Sequence, residues 1–357
     1  MTYRQRIQRG YSLIELLIAM AIGVILIGGV IVTYLVQTQV YKITNSQASI
    51  QNAENAIAAL VTPVVRTAGF IGCSTVDQAV TNSLNAGAPP PLGAATTPGI
   101  VAGYDASGTA GNGTLTLATR NPANDATLSD WTPSLHSSLA SMVQPGSDVI
   151  VLLGPVPNSQ PTAVTPQIAT GSTALTIYGT TSLTVGSLAA VSDCSKSTIF
   201  NITGVTGSNI AHAAGAGPSG NAAAAFPVSY VSPQLIPLQQ TAFYVAQGLG
   251  GQSALMRATY VGGTWSVAPL VPGVQTLQVL YGTGASGVIT QYVAASAVAD
   301  WTVVYAVKLS FLIEGQLGSG GPNNPTAFSL LGTGVSTPQD GRLRRVYDLT
   351  IDLRNAS

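Results

Sequence analysis

Glu15 stands inside the apolar run Leu13-Ile14-Glu15-Leu16-Leu17. A carboxylate at bilayer depth costs on the order of 2.5 to 3.5 kcal/mol at a helix centre and less near an end. Such a group either reaches back to water or meets a cation. Cys73 and Cys194 are the only cysteines. In an oxidising compartment they could close a loop of roughly 120 residues, contributing about 4 to 5 kcal/mol in the chain-entropy model; the alternative is two buried thiols. His136 in SLHSS and His212 in NIAHAA lie in Ala/Ser-rich segments that read as solvated loops, and G-x-S-x-G and Walker A patterns are absent, so no hydrolytic triad is singled out. Two stretches match G-x-G-x-x-G, Gly215-Gly217-Gly220 and Gly282-Gly284-Gly287. The first contains Pro218 and follows no strand. The second is followed by Asp300 ahead of the next strand rather than at its far end, against a dinucleotide site. Arg342, Arg344, Arg345 and Arg354 make up four of the eight Lys and Arg in residues 69–357. They offer either a nucleic-acid patch or charge pairing with Asp340, Asp348 and Asp352 along the terminal strands, and the scarcity of cations favours pairing.

The composition narrows the field. The 357 residues carry 13 Lys+Arg against 13 Asp+Glu, so net charge is zero, and only 7% of residues are charged while 46% are apolar. About a quarter charged is usual for soluble domains. Neither a charged disordered tail nor a disulfide-dense mini-protein fits, and a neutral chain gives no electrostatic reason to expect nucleic acid as a partner. Two cysteines and two histidines do not supply a multi-ligand zinc site, so no metal or cofactor is expected.

The elements that would position these groups begin with a membrane segment. Arg4, Arg6 and Arg9 precede residues 16–36, which are 21 residues without a charge. As a helix they span roughly 31 Å, one crossing. A cleavable secretory signal would have a shorter apolar region and a small-x-small site, which the following QTQVYKITN lacks. The arginines put the N-terminus in the cytoplasm and the rest, with both cysteines, outside it. Beyond the membrane, Val36, Val40, Ile43, Ile50, Ile57, Val61 and Val64 fall on steps of three and four, which predicts one continuous helix over about 12–60 or slightly beyond, ended or kinked at Pro63. Gly23, Gly28 and Gly29 are its weak points, each up to about 1 kcal/mol less favourable than Ala. From residue 69 the pattern turns to strands, over 148–154, 174–178, 195–203, 241–246, a hairpin over 254–270, 274–282, 301–315 and 343–353. VITQYVAASAVA reads as a possible short helix. Residues 74–147, rich in Ala, Gly, Pro, Thr and Asn, read as long surface loops with short strands.

The run Arg9-Gly10-Tyr11-Ser12-Leu13-Ile14-Glu15 resembles the class III signal of type IV prepilins and pseudopilins. The resemblance implies cleavage after Gly10 by a prepilin peptidase, N-methylation of Tyr11, and Glu15 as fifth residue of the mature chain. Cleavage would remove three positive charges and create an α-amine on the membrane helix. In a helix-packed fibre Glu15 of one subunit could meet the Tyr11 amine of its neighbour; at about 4 Å and an effective dielectric near 20 that is roughly 4 kcal/mol before desolvation. Gly23, Gly28 and Gly29 are candidates for the local unwinding that related pilins undergo on entering a fibre, or for close packing of small residues.

Arg66-Thr67-Ala68-Gly69-Phe70-Ile71-Gly72-Cys73 is similar to the helix exit of PilW-type minor pilins. The C-terminal third looks alike as well, through VPGVQTLQVLYG, Tyr292-Val293, Asp300-Trp301, Ala306-Val307-Lys308 and the ending from Arg342 to Asn355. This resemblance implies an α+β, type IV pilin-like lollipop, a long N-terminal helix on a β-rich head. Its parts would be a cleaved leader (1–10), a transmembrane or filament-core half (11–36), an amphipathic half (37–68), and an extracytoplasmic head (69–357) with a loop-rich insert at about 74–240. Residues 74–240 match no motif. The function implied is that of a minor pilin, not an enzyme, joining a tip complex that primes pilus assembly. Its partners would be the prepilin peptidase, other minor pilins, the major pilin and the bacterial inner membrane, and its destination the pilus at the cell surface. The alternatives are a J-type pseudopilin of a type II secretion system and a membrane-anchored adhesin or binding module.

Overall fold

The computed structural model describes residues 11–72, 79–85, 87–92, 99–109, 112–117, 127–217, 220–320 and 325–355. One helix, Leu13–Thr67, runs for 55 residues, roughly 82 Å. It opens on a capping box: Ser12 is extended at the N-cap, its side chain accepting from the Glu15 backbone while the Glu15 side chain accepts from the Ser12 backbone.

The helix has two halves with different surroundings. No residue of its most apolar 18-residue window is buried, and from Leu13 to Val40 its large apolar side chains point outward. The second half buries Ser46, Ile50, Ala53, Ile57, Val61 and Val65 against the head. The apolar stripe read from the sequence is thereby shifted. Val36 and Val40 are exposed, and Val65 rather than Val64 is fully buried, because the head reaches along the helix only as far as Gln39, whose amide touches the carbonyl of Gly318 at 3.4 Å. The helix also runs through Pro63 to Thr67. An internal proline costs about 3 kcal/mol, but each buried Val or Ile contributes roughly 1.5 to 3 kcal/mol, and Val61 and Val65 flank it on the buried face. The Thr67 hydroxyl donates to the Pro63 carbonyl at 2.8 Å.

The head is built on two sheets that share a core with the helix. The larger sheet has the strand order Ala79–Asn82, Lys196–Asn201, Leu188–Ser192, Gln234–Gln247, Val149–Pro155, Val101–Ala106, Trp131–Thr132. Its 14-residue strand Gln234–Gln247 pairs along one flank first with Leu188–Ser192 and then with Ser253–Val261 of the hairpin Ser253–Val261/Thr264–Pro272, and along the other flank with Val149–Pro155. The smaller sheet is antiparallel, in the order Val288–Val293, Val274–Ala285, Val304–Glu314, Arg344–Asp352. Helix residues Ile50, Ile57, Val61 and Val65 pack with Val101, Ile150 and Phe243 of the first sheet and with Leu277, Leu309 and Phe311 of the second.

VITQYV is a strand rather than a helix. It pairs with Val274–Ala285 across a tight turn in which Ser286 and Gly287 both take positive φ (50° and 75°), and its β-branched residues suit that pairing. This disposes of the second glycine motif, since Gly282 and Gly284 lie in a hairpin strand with no helix after it. The segment 74–147 is also less loop-like than its composition implies: Val101–Ala106 is buried along its whole length.

Candidate functional site

The N-terminal end of the helix brings together Tyr11, Ser12 and Glu15. A Glu15 carboxylate oxygen lies 3.1 Å from the Ser12 backbone nitrogen, and the Glu15 nitrogen lies 3.4 Å from the Ser12 hydroxyl oxygen. Glu15 therefore already holds the amide one residue beyond Tyr11, and Tyr11 is 89% exposed. Gly10 lies outside the described residues. An α-amine created at Tyr11 would sit beside a carboxylate engaged in capping, so a neighbouring subunit's amine would have to compete with, or extend, this local bond.

Further along, Gly23, Gly28 and Gly29 each have open space where a Cβ would stand. The Thr33 hydroxyl donates to the Gly29 carbonyl at 2.9 Å, a side-chain bond that competes with the helix ladder at its weakest point. Within this chain nothing packs on the glycines, which leaves both unwinding and close packing in an assembly open.

Besides the contact of Gln39 with Gly318, two polar contacts join helix and head. The Ser46 hydroxyl accepts from the Gln316 backbone at 3.1 Å, and a Cβ on Gly315 would come within 2.9 Å of the Ser46 Cβ, so the approach needs glycine. Arg345 reaches Glu54 of the helix at 3.2 Å. Behind them, buried Arg344 forms two bonds to Asp340 (2.8 and 2.7 Å) and one to Gln275 (2.8 Å), while Gln275 donates to Glu314 (2.8 Å). Burial raises the Asp340 carboxyl, but the bonds from Arg344 and the Arg342 backbone and the charges of both arginines together outweigh it and leave the group below its ordinary value. Charge pairing is thus observed for Arg342, Arg344 and Arg345, with Glu314 and Glu54 as partners beside Asp340, while Arg354 makes no ion pair among the described residues. Asp348 instead accepts from Ser310.

A second polar knot lies where the two sheets meet. Asp148 accepts from the backbones of Ala106 and Val279 (2.9 and 2.8 Å) and from Thr109 (3.4 Å), while Asp105 accepts from Ala295 and Ser296. Burial pushes the Asp148 carboxyl up to about 8, with the nearby Asp105 charge adding to it, so Asp148 holds a proton at neutral pH. Sequence reading missed both aspartates, because neither stands in a motif and only the strand register brings them together.

His212 is not solvated. It is fully buried, with its ring 5.1 Å from Phe200 and 4.6 Å from Phe226. Among the described residues neither ring nitrogen has a hydrogen-bond partner, and burial lowers its pKa to about 4. His136 is half-buried and accepts from the Ser138 backbone at 3.3 Å. Cys73 lies outside the described residues. Cys194 is exposed at a turn tip with φ 67°, between Asp193 and Ser195, whose side chains bond each other at 2.7 Å. Among the described residues no cysteine is a free thiol. Gly72, the residue before Cys73, lies against Ser192: a Cβ there would stand 3.2 Å from the Ser192 Cβ.

Two family models match this arrangement. The prokaryotic N-terminal methylation motif covers residues 5–31, and the type IV pilus-assembly protein W model covers residues 242–355, which span the hairpin and the whole smaller sheet. Among solved structures, a type IV-like pilin from Thermus thermophilus is similar at 22% identity over 34% of this chain and 68% of its own, with a TM-score of 0.22. No curated protein matches the chain. The chain thus joins a helix that carries the methylation motif to a β-rich head whose last third is similar to the type IV pilus-assembly protein W model.

Proposed function

We propose that the chain is a minor pilin that joins a tip complex priming type IV pilus assembly. In this reading residues 1–10 are a leader removed by the prepilin peptidase, Tyr11 becomes the methylated N-terminus, and residues 11–36 hold the subunit in the inner membrane and later in the filament core. Residues 37–68 carry the head, 69–357, outside the cell, with about 74–240 as its loop-rich insert. The supporting observation is that one unbroken helix is bare and apolar in its first half and locked to the head in its second, as a subunit that packs by its helix and displays its head requires. Glu15 sets the register, Gly23, Gly28 and Gly29 are the positions where the helix can unwind, and Cys73 pairs with Cys194, a pairing supported by the contact of Gly72 with Ser192.

The experiment is quantitative mass spectrometry of filaments sheared from cells. Trace amounts of this head relative to the major subunit are expected. Processed protein confined to the membrane and missing from sheared pili would favour the J-type pseudopilin, and unprocessed protein in the membrane would favour an anchored adhesin.

A further inference from the structure

A cleft of about 760 Å³ runs between the last turns of the helix and the larger sheet, and Arg66, Arg257 and Arg354 all line it. The described chain beyond the leader is poor in cations, and apart from the exposed Lys42 of the helix the others have partners: Lys196 pairs with Asp193, and Arg342, Arg344 and Arg345 with carboxylates, while Lys308 stacks over Tyr292. Among the described residues, Arg66, Arg257 and Arg354 make no ion pair, and no Asp or Glu lines the cleft. Arg66 complements the negative end of the helix; Arg257 and Arg354 have no such counter-charge. The walls between them carry an apolar stretch of Leu60, Val64, Phe70 and Val156 beside polar Thr67, Asn158, Gln239 and Thr241.

We infer that this cleft docks an extended, carboxylate-bearing polypeptide segment. The guanidiniums take the carboxylates in forked bonds, and the apolar walls take the intervening side chains. The volume is that of a ligand-sized site. A nucleic-acid duplex, with a phosphate every 1.7 Å or so of its axis, calls for a long basic face rather than three cations among apolar walls. The inference stands apart from the pilus reading, since it concerns only the head and the helix exit.

The test uses the full chain in detergent micelles and three labelled probes: a hexapeptide alternating Glu and Val, its Gln–Val counterpart, and a single-stranded 12-nucleotide DNA. The Glu–Val peptide should bind and the Gln–Val peptide should not. In the Arg257→Gln/Arg354→Gln variant, and in the variant Arg66→Gln/Arg354→Gln, whose sites are both exposed, affinity should fall at least tenfold with the melting temperature unchanged. Equal affinity in wild type and variants, no binding of the Glu–Val peptide, or tighter binding of DNA than of the peptide would each overturn the inference.

Discussion

Glu15 caps the backbone of Ser12, the residue that follows Tyr11. One carboxylate thus has two possible partners, the first amide of its own helix and a charged amine at or near Tyr11. Glutamine at this position preserves the capping box but carries no charge, so the two roles separate. Glu15→Gln should leave helix content and membrane insertion unchanged while filament incorporation falls at least tenfold, as it should also in Glu15→Ala. Normal incorporation of Glu15→Gln, read by immunoblot of sheared filaments, would reduce Glu15 to a capping residue.

His212 sets an acid limit on the head. Its pKa is about 4 when folded and 6.5 when free, so between those values the unfolded chain takes up a proton that the folded chain refuses. The contribution of His212 to stability falls as pH drops from 6.5 towards 4, by about 3 kcal/mol in all. Asp148 acts in the opposite sense over this range. His212→Leu, a change of similar size in an aromatic and apolar pocket, should therefore make stability in urea denaturation rise towards acid by up to about 1.4 kcal/mol per pH unit relative to wild type. An unchanged acid limb would show that His212 does not titrate as its burial implies.

Asp148 works in the opposite direction. With a folded pKa of about 8 against 3.8 unfolded, its stabilising contribution is complete below pH 3.8 and is lost as pH rises to about 8. Between pH 7.5 and 8, where His212 is essentially neutral in both states, stability should decline by up to about 1.4 kcal/mol per pH unit. Asp148→Asn should abolish this slope. Its baseline should also drop by about 2 kcal/mol, because the amide turns N–H groups toward the backbone donors of Val279 or Ala106.

Gly103 leaves no room for a side chain. A Cβ there would overlap the buried Tyr281 phenol, so Gly103→Ala should cost about 3 kcal/mol or more by overpacking. Tyr281→Phe, which removes a hydroxyl with no partner, should be neutral or stabilising by about 1 kcal/mol. Thermal denaturation of both variants checks the pair, and a stable Gly103→Ala would contradict the packing.

The helix was legible in the sequence because its period is local, and so were strands such as Val149–Pro155 and Val304–Glu314, where β-branched residues run together. Leu188–Ser192 and Val101–Ala106 escaped notice, since LAAVS and VAGYDA are small or mixed and owe their strand geometry to neighbours far along the chain. The same distance hid His212, whose Ala-rich flanks read as solvent while Phe200 and Phe226 cover it. It also hid the Glu314 partner of Arg344, which only the register between Val304–Glu314 and Arg344–Asp352 supplies.

The central claim is that Tyr11 becomes the N-terminus of a helix that packs into a filament. Mass spectrometry of the N-terminal peptide, from protein recovered in sheared filaments, tests it most directly. The account predicts a peptide beginning at Tyr11 and carrying a methylated amine; a peptide retaining Arg4, Arg6 and Arg9 ahead of Gly10 would contradict it.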